Sequence, residues 1–166
     1  VNIISEYLFD EVGFQGNSDN YYDPRNSFIN DVLDRRLGIP ISLSIIYSEV
    51  ASRLGLECLP IGTPGHLVLK TTIEDGTKYF IDPFNKGIVM SESEAIEFFR
   101  KSIGLSYDVS ELKFDPISKR DLVLRLFTNI KHVYLRDSDY ERAYKVLDLM
   151  VDIDPNNVFE RRDRGI

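Results

Sequence analysis

Cysteine is almost absent from this chain of 166 residues, tryptophan is missing, and histidine occurs only twice. The single Cys58 excludes a disulfide within the chain and a zinc site built from several cysteines, and a lone thiol is typical of a reducing compartment. Asn17, Asp19 and Asp23 supply oxygen atoms in one loop, but they lack the regular alternation and the closing Glu of a calcium loop. We therefore expect neither a metal nor a cofactor.

Long apolar runs and basic clusters are also lacking. No stretch approaches the roughly 20 apolar residues that a membrane-spanning helix needs, and no signal-peptide pattern opens the chain. Lys and Arg number 20 against 27 Asp and Glu, which gives a net charge of −7, and no basic run is dense enough to follow a phosphate backbone. The sequence predicts no membrane span and no nucleic-acid partner.

The apolar content is sufficient for a folded core. Hydrophobic residues make up 43% of the chain and charged residues 28%, as is typical of one globular domain with at most a small appendage. Because Val1 is not a methionine, we expect the chain to be a fragment or a processed product.

The clearest structural prediction is a core helix over residues 42–54. Apolar residues recur there at steps of three and four and so share one stripe of a helix: Leu43, Ile46, Tyr47, Val50, Ala51 and Leu54. Pro40 suits a first helical turn, the Ser42 hydroxyl can accept from a free backbone N–H, and Gly55 suits the left-handed position after a helix. Both ends of the helix are therefore predicted as well as its buried face.

Extended runs follow this helix, at residues 59–61, His66–Thr72 and Lys78–Asp82. The Asp75-Gly76 pair between the last two is a strong hairpin signal, because both positions tolerate positive φ. His66 begins one strand and Asp82 ends its partner, so antiparallel pairing brings them to the same end of the hairpin. We expect their side chains to lie within hydrogen-bond reach.

Further helices surround these strands in the predicted layout. We expect helices over residues 2–10 and 28–37, the second with Ser27 as its N-cap and Gly38 as its end, separated by a turn-rich loop at 13–27. A short strand at 87–90 precedes a helix that runs to about Ser102 and starts with a Ser91/Glu94 capping box. The predicted fold class is α+β.

The last third of the sequence predicts a helical hairpin over residues 119–154, with a turn at 137–139. Its apolar and small residues have the spacing of a tetratricopeptide repeat of 34 residues: Phe127, Ile130, Tyr134, Ala143, Leu147, Met150 and Pro155. Lys131 replaces the usual glycine. Because one repeat cannot bury its own apolar face, we expect the hairpin to dock on the α+β domain or on a further repeat. The predicted domains are residues 1–103 and 118–166, joined by a linker at 104–117.

Six motifs in order resemble one known family: Gly13-Phe-x-Gly-Asn17, Tyr21-Tyr-Asp-Pro-x-Asn-Ser27, Asp34-Arg-Arg-x-Gly-Ile-Pro-Ile-Ser42, Pro64-Gly-His66, Asp82-Pro-Phe84 and Glu160-Arg-Arg-Asp-Arg-Gly165. The chain resembles the transglutaminase-like family of bacteria and plastids with a tetratricopeptide tail, named in bacteria after the Sir-B invasion regulator. The resemblance implies a papain/transglutaminase-like core, further helices beyond both ends of this chain, and a cytoplasmic or plastid-stromal location.

The wider superfamily that the chain resembles uses Cys, His and Asp for catalysis. The chemistry needs a thiolate at a helix N-terminus, a His that takes its proton and an Asp that fixes the imidazole tautomer. By resemblance His66 matches the His and Asp82 the Asp, whereas the cysteine position falls on Pro40 or its neighbour. Ser42 is the nearest hydroxyl and is either a candidate nucleophile or a helix cap, and Cys58 lies beyond the far end of the helix.

Three functions follow from this reading. The first is a degenerate transglutaminase-like domain that binds a protein or peptide through the old cleft and the repeat surface. The second is an acyltransferase or hydrolase in which His66 activates Ser42 and Asp82 orients His66. The third is a structural subunit of a larger assembly. We favour the first, because the nucleophile is the residue that the chemistry can least spare.

Overall fold

The computed structural model describes residues 1–63, 66–103 and 114–165. Its α-helices are α1 (Asn2–Ser5), α2 (Ile29–Arg35), α3 (Pro40–Arg53), α4 (Glu92–Ile103), α5 (Lys119–Arg136), α6 (Tyr140–Ile153) and α7 (Val158–Arg164). Its strands are β1 (Gln15–Gly16), β2 (Leu37–Gly38), β3 (Leu59–Thr63), β4 (His66–Thr72), β5 (Lys78–Asp82) and β6 (Ile88–Ser91). Helices and an antiparallel sheet confirm the α+β class.

The main sheet is antiparallel, with the strand order β3-β4-β5-β6. The Asp75-Gly76 pair forms the predicted hairpin: Thr72 pairs with Lys78, and Gly76 takes φ 85°. This register brings the start of β4 and the end of β5 to the same edge of the sheet, which is where His66 and Asp82 lie.

Helices cover both faces of this sheet. On one face α3 packs with α1 against a core that contains Leu69 and Ile81. On the other face α4 packs over a cluster that contains Val68 and Phe80. Adjacent residues of one strand point to opposite faces of the sheet. A strand that is apolar at consecutive positions therefore buries side chains on both faces. Along α3, Tyr47 and Ala51 are fully buried, as the helical stripe predicted, but Leu54 is 68% exposed because the helix ends at Arg53.

The N-terminal helix departs from its prediction over residues 2–10. Only α1 is α-helical, and a π-helical segment, Glu6–Glu11, continues it. The Val12 N–H donates to the Tyr7 carbonyl, five residues back, at 2.8 Å. Apolar spacing cannot distinguish this wider turn from an α-helix, because both bury one stripe of side chains.

The segment before α3 was also predicted incompletely. The turn-rich loop contains β1, which pairs in parallel with β2, so Gly38 is a strand residue and does not end α2. α2 ends instead at Arg35, and its C-cap, Arg36, has a left-handed φ of 59°. Its N-cap is Phe28 and not the predicted Ser27, which is buried just after the 3₁₀ turn Pro24–Asn26.

The C-terminal helices form an antiparallel pair, α5 and α6, followed by α7. Ala143 is buried in the cluster that α5 and α6 share. On its other side α5 contacts the α+β part: Leu122 and Leu126 pack against Ile39, Ile41 and Leu67. The helical hairpin therefore docks on the α+β part of the chain. Of the apolar residues with the repeat spacing, Tyr134 and Leu147 are buried and Phe127 is partly buried.

The predicted linker falls mostly on residues 104–113, which lie outside the described residues. Its last residues belong to the sheet: Pro116 forms a bridge with Ile61, and the Ile117 N–H donates to the Pro60 carbonyl at 2.8 Å. The start of α5 is thereby fixed beside β3. None of the helices in the described ranges is long and apolar enough to cross a membrane.

Candidate functional site

His66 and Asp82 meet at one edge of the main sheet. His66 Nε2 lies 2.8 Å from Asp82 Oδ2, and the Asp82 side chain is only 1% exposed. A carboxylate accepts, so Nε2 is the donor in this contact. In the neutral ring this places the lone pair on Nδ1, which is the tautomer that a His needs in order to act as a base through Nδ1.

Asp82 is held by several donors besides His66. Its Oδ1 accepts from the backbone N–H of Phe84 at 3.1 Å and of Asn85 at 3.3 Å, and its Oδ2 also accepts from Asn85 Nδ2 at 2.7 Å. These bonds come from the 3₁₀ turn Pro83–Asn85, which Asp82 caps. The Asp-Pro-Phe motif is thus a local device that fixes the carboxylate behind the imidazole.

A cleft of about 300 Å³ opens beside this pair. It lies between the start of α3, the start of β4, the loop after β1 and one face of α5. Its lining residues are Tyr21, Pro40, Ile41, His66, Leu67, Arg125, Thr128 and Asn129. Pro40 and Ile41, where the resemblance places the cysteine, therefore share a cleft with His66. Neither side chain carries a nucleophilic atom.

The Ser42 hydroxyl lacks the exposure that a nucleophile needs. Its side chain is fully buried, and its Oγ donates to the Asn26 carbonyl at 2.6 Å and accepts from the Ile39 N–H at 3.0 Å. The hydroxyl proton is committed to a backbone carbonyl, and Ser42 is not among the residues that line the cleft. These bonds join the first turn of α3 to the preceding loop, which favours the helix-cap alternative, and the role of Ser42 as nucleophile stays a hypothesis.

Cys58 lies in the main core and not in the cleft. It packs in the cluster that contains Tyr47, Ala51 and Leu69. Burial raises the pKa of its thiol to about 11, so the thiolate is scarce at neutral pH. His132, the second histidine, is exposed on α5.

Three of the sequence motifs converge on this site. A Cβ at Gly16 would lie 2.6 Å from the carbonyl oxygen of Phe84, and a Cβ at Gly38 would lie 2.8 Å from Ser42 Oγ. The two glycines therefore permit β1 and β2 to approach the turn after Asp82 and the start of α3. This close packing explains why motifs that are far apart in the sequence belong to one structural unit.

The loop at 17–27 positions Tyr21 at the rim of the cleft. Asn26 is fully buried: its Oδ1 accepts from Asn17 Nδ2 at 3.0 Å, and its Nδ2 donates to the Tyr21 carbonyl at 3.1 Å. Asp23 pairs with Arg25 at 2.8 Å and Arg35 at 3.2 Å, and the hydrogen bond from Arg25 is the main cause that lowers the pKa of its carboxyl. Asn17 and Asp23 thus serve loop geometry.

Sequence reasoning missed the side of the cleft that α5 provides. Arg125, Thr128 and Asn129 have the spacing of one helix face, and that spacing was the available signal, but no local pattern shows which partner a polar face meets. Within the described ranges, no three His, Cys, Asp or Glu side chains are grouped so that they could hold a metal ion.

Comparison with protein families agrees with this geometry. Residues 1–128 match the family model described as the transglutaminase-like superfamily. The match covers more than half of the chain and extends through α3, the sheet and much of α5. The chain belongs to the transglutaminase-like superfamily.

Relatives occur in bacteria and in animals. The chain is 37% identical over 166 residues to the UPF0162 protein of Xylella fastidiosa (strain 9a5c), covering 98% of this chain and 59% of the relative. It is 29% identical over 161 residues to the UPF0162 protein of Vibrio cholerae, covering 95% and 58%. It is 28% identical over 161 residues to human F-box only protein 21, covering 91% and 25%.

The chain thus spans about 59% of the length of the Xylella relative and about a quarter of the human one. No solved structure matches the chain significantly.

Proposed function

We propose that this chain is a transglutaminase-like domain that has lost the family's nucleophile and serves as a protein-binding module, with a regulatory or an assembly role. The observation that carries the proposal is the start of α3, where Pro40 and Ile41 line the cleft beside His66. Attack on an amide at neutral pH needs a thiolate or an activated hydroxyl at such a position. An intact His66–Asp82 pair without a nucleophile supports a cleft that binds and does not acylate.

The distribution of similar segments supports a modular role. A segment similar to this chain makes up 59% of the Xylella fastidiosa protein and 25% of human F-box only protein 21. One domain set within proteins of such different length is typical of a unit that works together with neighbouring parts of a larger protein.

The C-terminal helices supply a second contact surface in this proposal. We assign residues 118–166 to a tetratricopeptide-like unit that follows the domain at 1–103 and the linker at 104–117. Large apolar side chains remain exposed on α6 and α7, namely Tyr140, Tyr144, Leu149, Val158 and Phe159. A single repeat leaves apolar side chains for a further repeat or for a partner, and these exposed residues support docking within a larger assembly.

A second candidate function is hydrolysis, which the completed His66–Asp82 pair favours. His66 Nδ1 could take a proton from water, and general-base catalysis of this kind typically contributes roughly 10²–10⁴-fold. The version with Ser42 as nucleophile, as an acyltransferase or hydrolase, lacks support because the Ser42 hydroxyl is buried and bonded to backbone.

The deciding experiment measures amine incorporation and partner binding on the same preparations. A biotinylated primary amine is offered together with a glutamine-containing acceptor protein to wild type, Ser42→Ala and His66→Ala. We expect no incorporation above the His66→Ala background. Affinity capture from an extract of the source organism should recover the same protein partner with wild type and with His66→Ala.

The outcome that overturns the proposal is incorporation by wild type that disappears in both Ser42→Ala and His66→Ala. Failure to recover any protein partner with wild type would also count against it. Because Ser42 holds the first turn of α3, circular dichroism must first show that Ser42→Ala is folded.

A further inference from the structure

The cleft beside His66 has a local charge opposite to that of the whole chain. The chain carries 27 Asp and Glu residues and a net charge of −7, yet none of the described residues that line the cleft is acidic. Arg125 and His66 line it together with the polar side chains of Tyr21, Thr128 and Asn129. An anion that approaches this cleft meets the donors of Arg125, Tyr21 and Asn129 and, among the described residues that line it, no carboxylate.

Arg125 is the cation of this site. Its guanidinium lies directly over Gly62 of β3, so that a Cβ added at Gly62 would stand 2.7 Å from Arg125 Cζ. Gly62 pairs with Leu67, next to the Thr63–His66 pair, and the guanidinium is therefore placed beside the start of β4. Across the described parts of the chain, Arg125 forms neither an ion pair nor a side-chain hydrogen bond. The guanidinium is thus a charge that no carboxylate of the described residues neutralises.

Two further donors point to the same kind of ligand. The Asn129 amide and the Tyr21 hydroxyl also lack a hydrogen-bond partner among the described residues, whereas the Thr128 hydroxyl donates to the Leu124 carbonyl at 2.9 Å. Burial, and then the nearby Tyr22, raise the pKa of the Tyr21 phenol, so this hydroxyl stays a donor at neutral pH. The N-terminus of α3 adds partial positive charge from its backbone dipoles.

We propose that this cleft binds a carboxylate presented by the peptide chain of a protein partner. Arg125 would hold the carboxylate with two parallel N–H···O bonds, with Asn129 and Tyr21 as additional donors. Pro40, Ile41 and Leu67 would contact the apolar stem that carries the carboxylate. A volume of about 300 Å³ accommodates one or two residues of such a peptide. That the ligand belongs to a protein partner rests on the proposed function, whereas its carboxylate is inferred from the residues that line the cleft.

The test uses three small probes on the purified chain, followed by ¹⁵N-resolved NMR of the Arg125 Nε–H, the Asn129 amide and the His66 ring. N-acetyl-glutamate methylamide presents a side-chain carboxylate, N-acetyl-dialanine presents a terminal one, and N-acetyl-glutamine methylamide is the neutral match of the first. We expect saturable shifts of these signals with a carboxylate probe and none with the glutamine probe. The tighter of the two carboxylates identifies which end or side chain of a partner is bound.

The variant Arg125→Gln should weaken binding of the carboxylate probe by about tenfold or more, as expected for losing a charge-assisted pair. Lys119→Gln is the matched control, because it removes one positive charge from the same helix outside the cleft, and it should bind like wild type. The amide spectrum of Arg125→Gln shows whether the fold is intact.

Equal shifts with the glutamine probe, unchanged binding in Arg125→Gln, or no response to either carboxylate would each overturn the inference. None of these results depends on capture of a partner. The carboxylate site can therefore fail while the protein-binding role stands, and the partner assay can fail while the site stands.

Discussion

Lys131 Nζ donates to Glu160 Oε2 at 2.6 Å, with only 6% and 11% of the two side chains exposed. Asp163 Oδ2 lies 3.4 Å from the same nitrogen. The interaction joins α5 to α7 at the position where the predicted tetratricopeptide pattern would have a glycine. It also gives two residues of the Glu160-Arg-Arg-Asp-Arg-Gly165 motif a structural role, because they neutralise a buried cation.

Replacing Lys131 by Ala should destabilise the C-terminal helices strongly. The change leaves the Glu160 carboxylate buried without its cation and beside Asp163, and breaking a buried pair in this way typically costs about 3–5 kcal/mol. Urea denaturation followed by circular dichroism measures the effect. The double variant Lys131→Met/Glu160→Leu removes both charges and should recover much of the loss.

The matched control is Lys145→Ala. Lys145 pairs with Glu141 at 2.7 Å on the surface of α6, where both side chains are mostly exposed. Its loss should have a much smaller effect than Lys131→Ala, because exposed pairs are screened by water. Similar destabilisation by the two variants would contradict a special role for the buried pair.

The β4–β5 hairpin and the Lys131–Glu160 pair differ in how far the sequence could predict them. The β4–β5 hairpin and most of the buried face of α3 were predicted correctly, because an Asp-Gly turn and a helical stripe are local patterns, but Leu54 at the end of that stripe is 68% exposed. Lys131 and Glu160 are separated by 29 residues, and no periodicity indicates that they meet. The repeat pattern revealed only that Lys131 was unusual.

The candidate site, too, could be predicted from the sequence only in part. His66 and Asp82 could be placed together because one hairpin carries both. The sequence identified Ser42 as a hydroxyl near the start of α3. It could not show that this hydroxyl is buried, because its burial depends on Asn26 in a loop that precedes α2. The α5 side of the cleft could not be predicted, since the docking of α5 on Ile41 and Leu67 is a tertiary contact.

Gly16→Ala should destabilise the chain through the close approach of β1 to the turn after Asp82. The new methyl group would lie 2.6 Å from the Phe84 carbonyl oxygen and 2.7 Å from Phe84 Cδ2, so the strand or the turn must move. Overpacking of this kind typically costs about 1–3 kcal/mol. Thermal or urea unfolding measures it.

Gly165→Ala is the control for this change. Its methyl group would lie no closer than 3.4 Å to a neighbouring atom, and the φ of Gly165 is −83°. Any side chain tolerates that φ, so this variant should unfold like wild type. An equally stable Gly16→Ala protein would show that β1 and the Phe84 turn are not packed closely.

Asp82→Asn should change the tautomer of His66. The amide oxygen can keep the bonds from the Phe84 and Asn85 backbone, which places the new NH₂ group toward His66 Nε2 and toward the Asn85 side chain, whose amide must turn its oxygen to accept. Nε2 must then accept and Nδ1 must carry the proton. Long-range ¹H–¹⁵N NMR of the ring distinguishes the two tautomers, and loss of the charged acceptor should cost about 1–3 kcal/mol in stability.

Asp75→Asn is the matched control for Asp82→Asn, because Asp75 lies in the exposed turn of the same hairpin, where its Oδ1 accepts from the Thr77 N–H. It should leave the His66 ring signals unchanged. Persistence of the Nε2–H tautomer in Asp82→Asn would mean that another acceptor, and not the carboxylate, fixes the imidazole.

Cys58 should react slowly with iodoacetamide while the chain is folded. Burial raises the pKa of its thiol to about 11, so at pH 8 the thiolate should be about a hundredfold scarcer than for an exposed cysteine of ordinary pKa, and alkylation slower by at least that factor. Because the folded pKa lies above the unfolded one, the thiol's contribution to stability is complete below about pH 8.5 and is lost as pH rises toward 11. Cys58→Ala lacks this titration and should lose less stability than wild type over that pH range, as measured by urea denaturation. Rapid alkylation of the folded wild type at pH 8 would show instead that the thiol is accessible and outside the core.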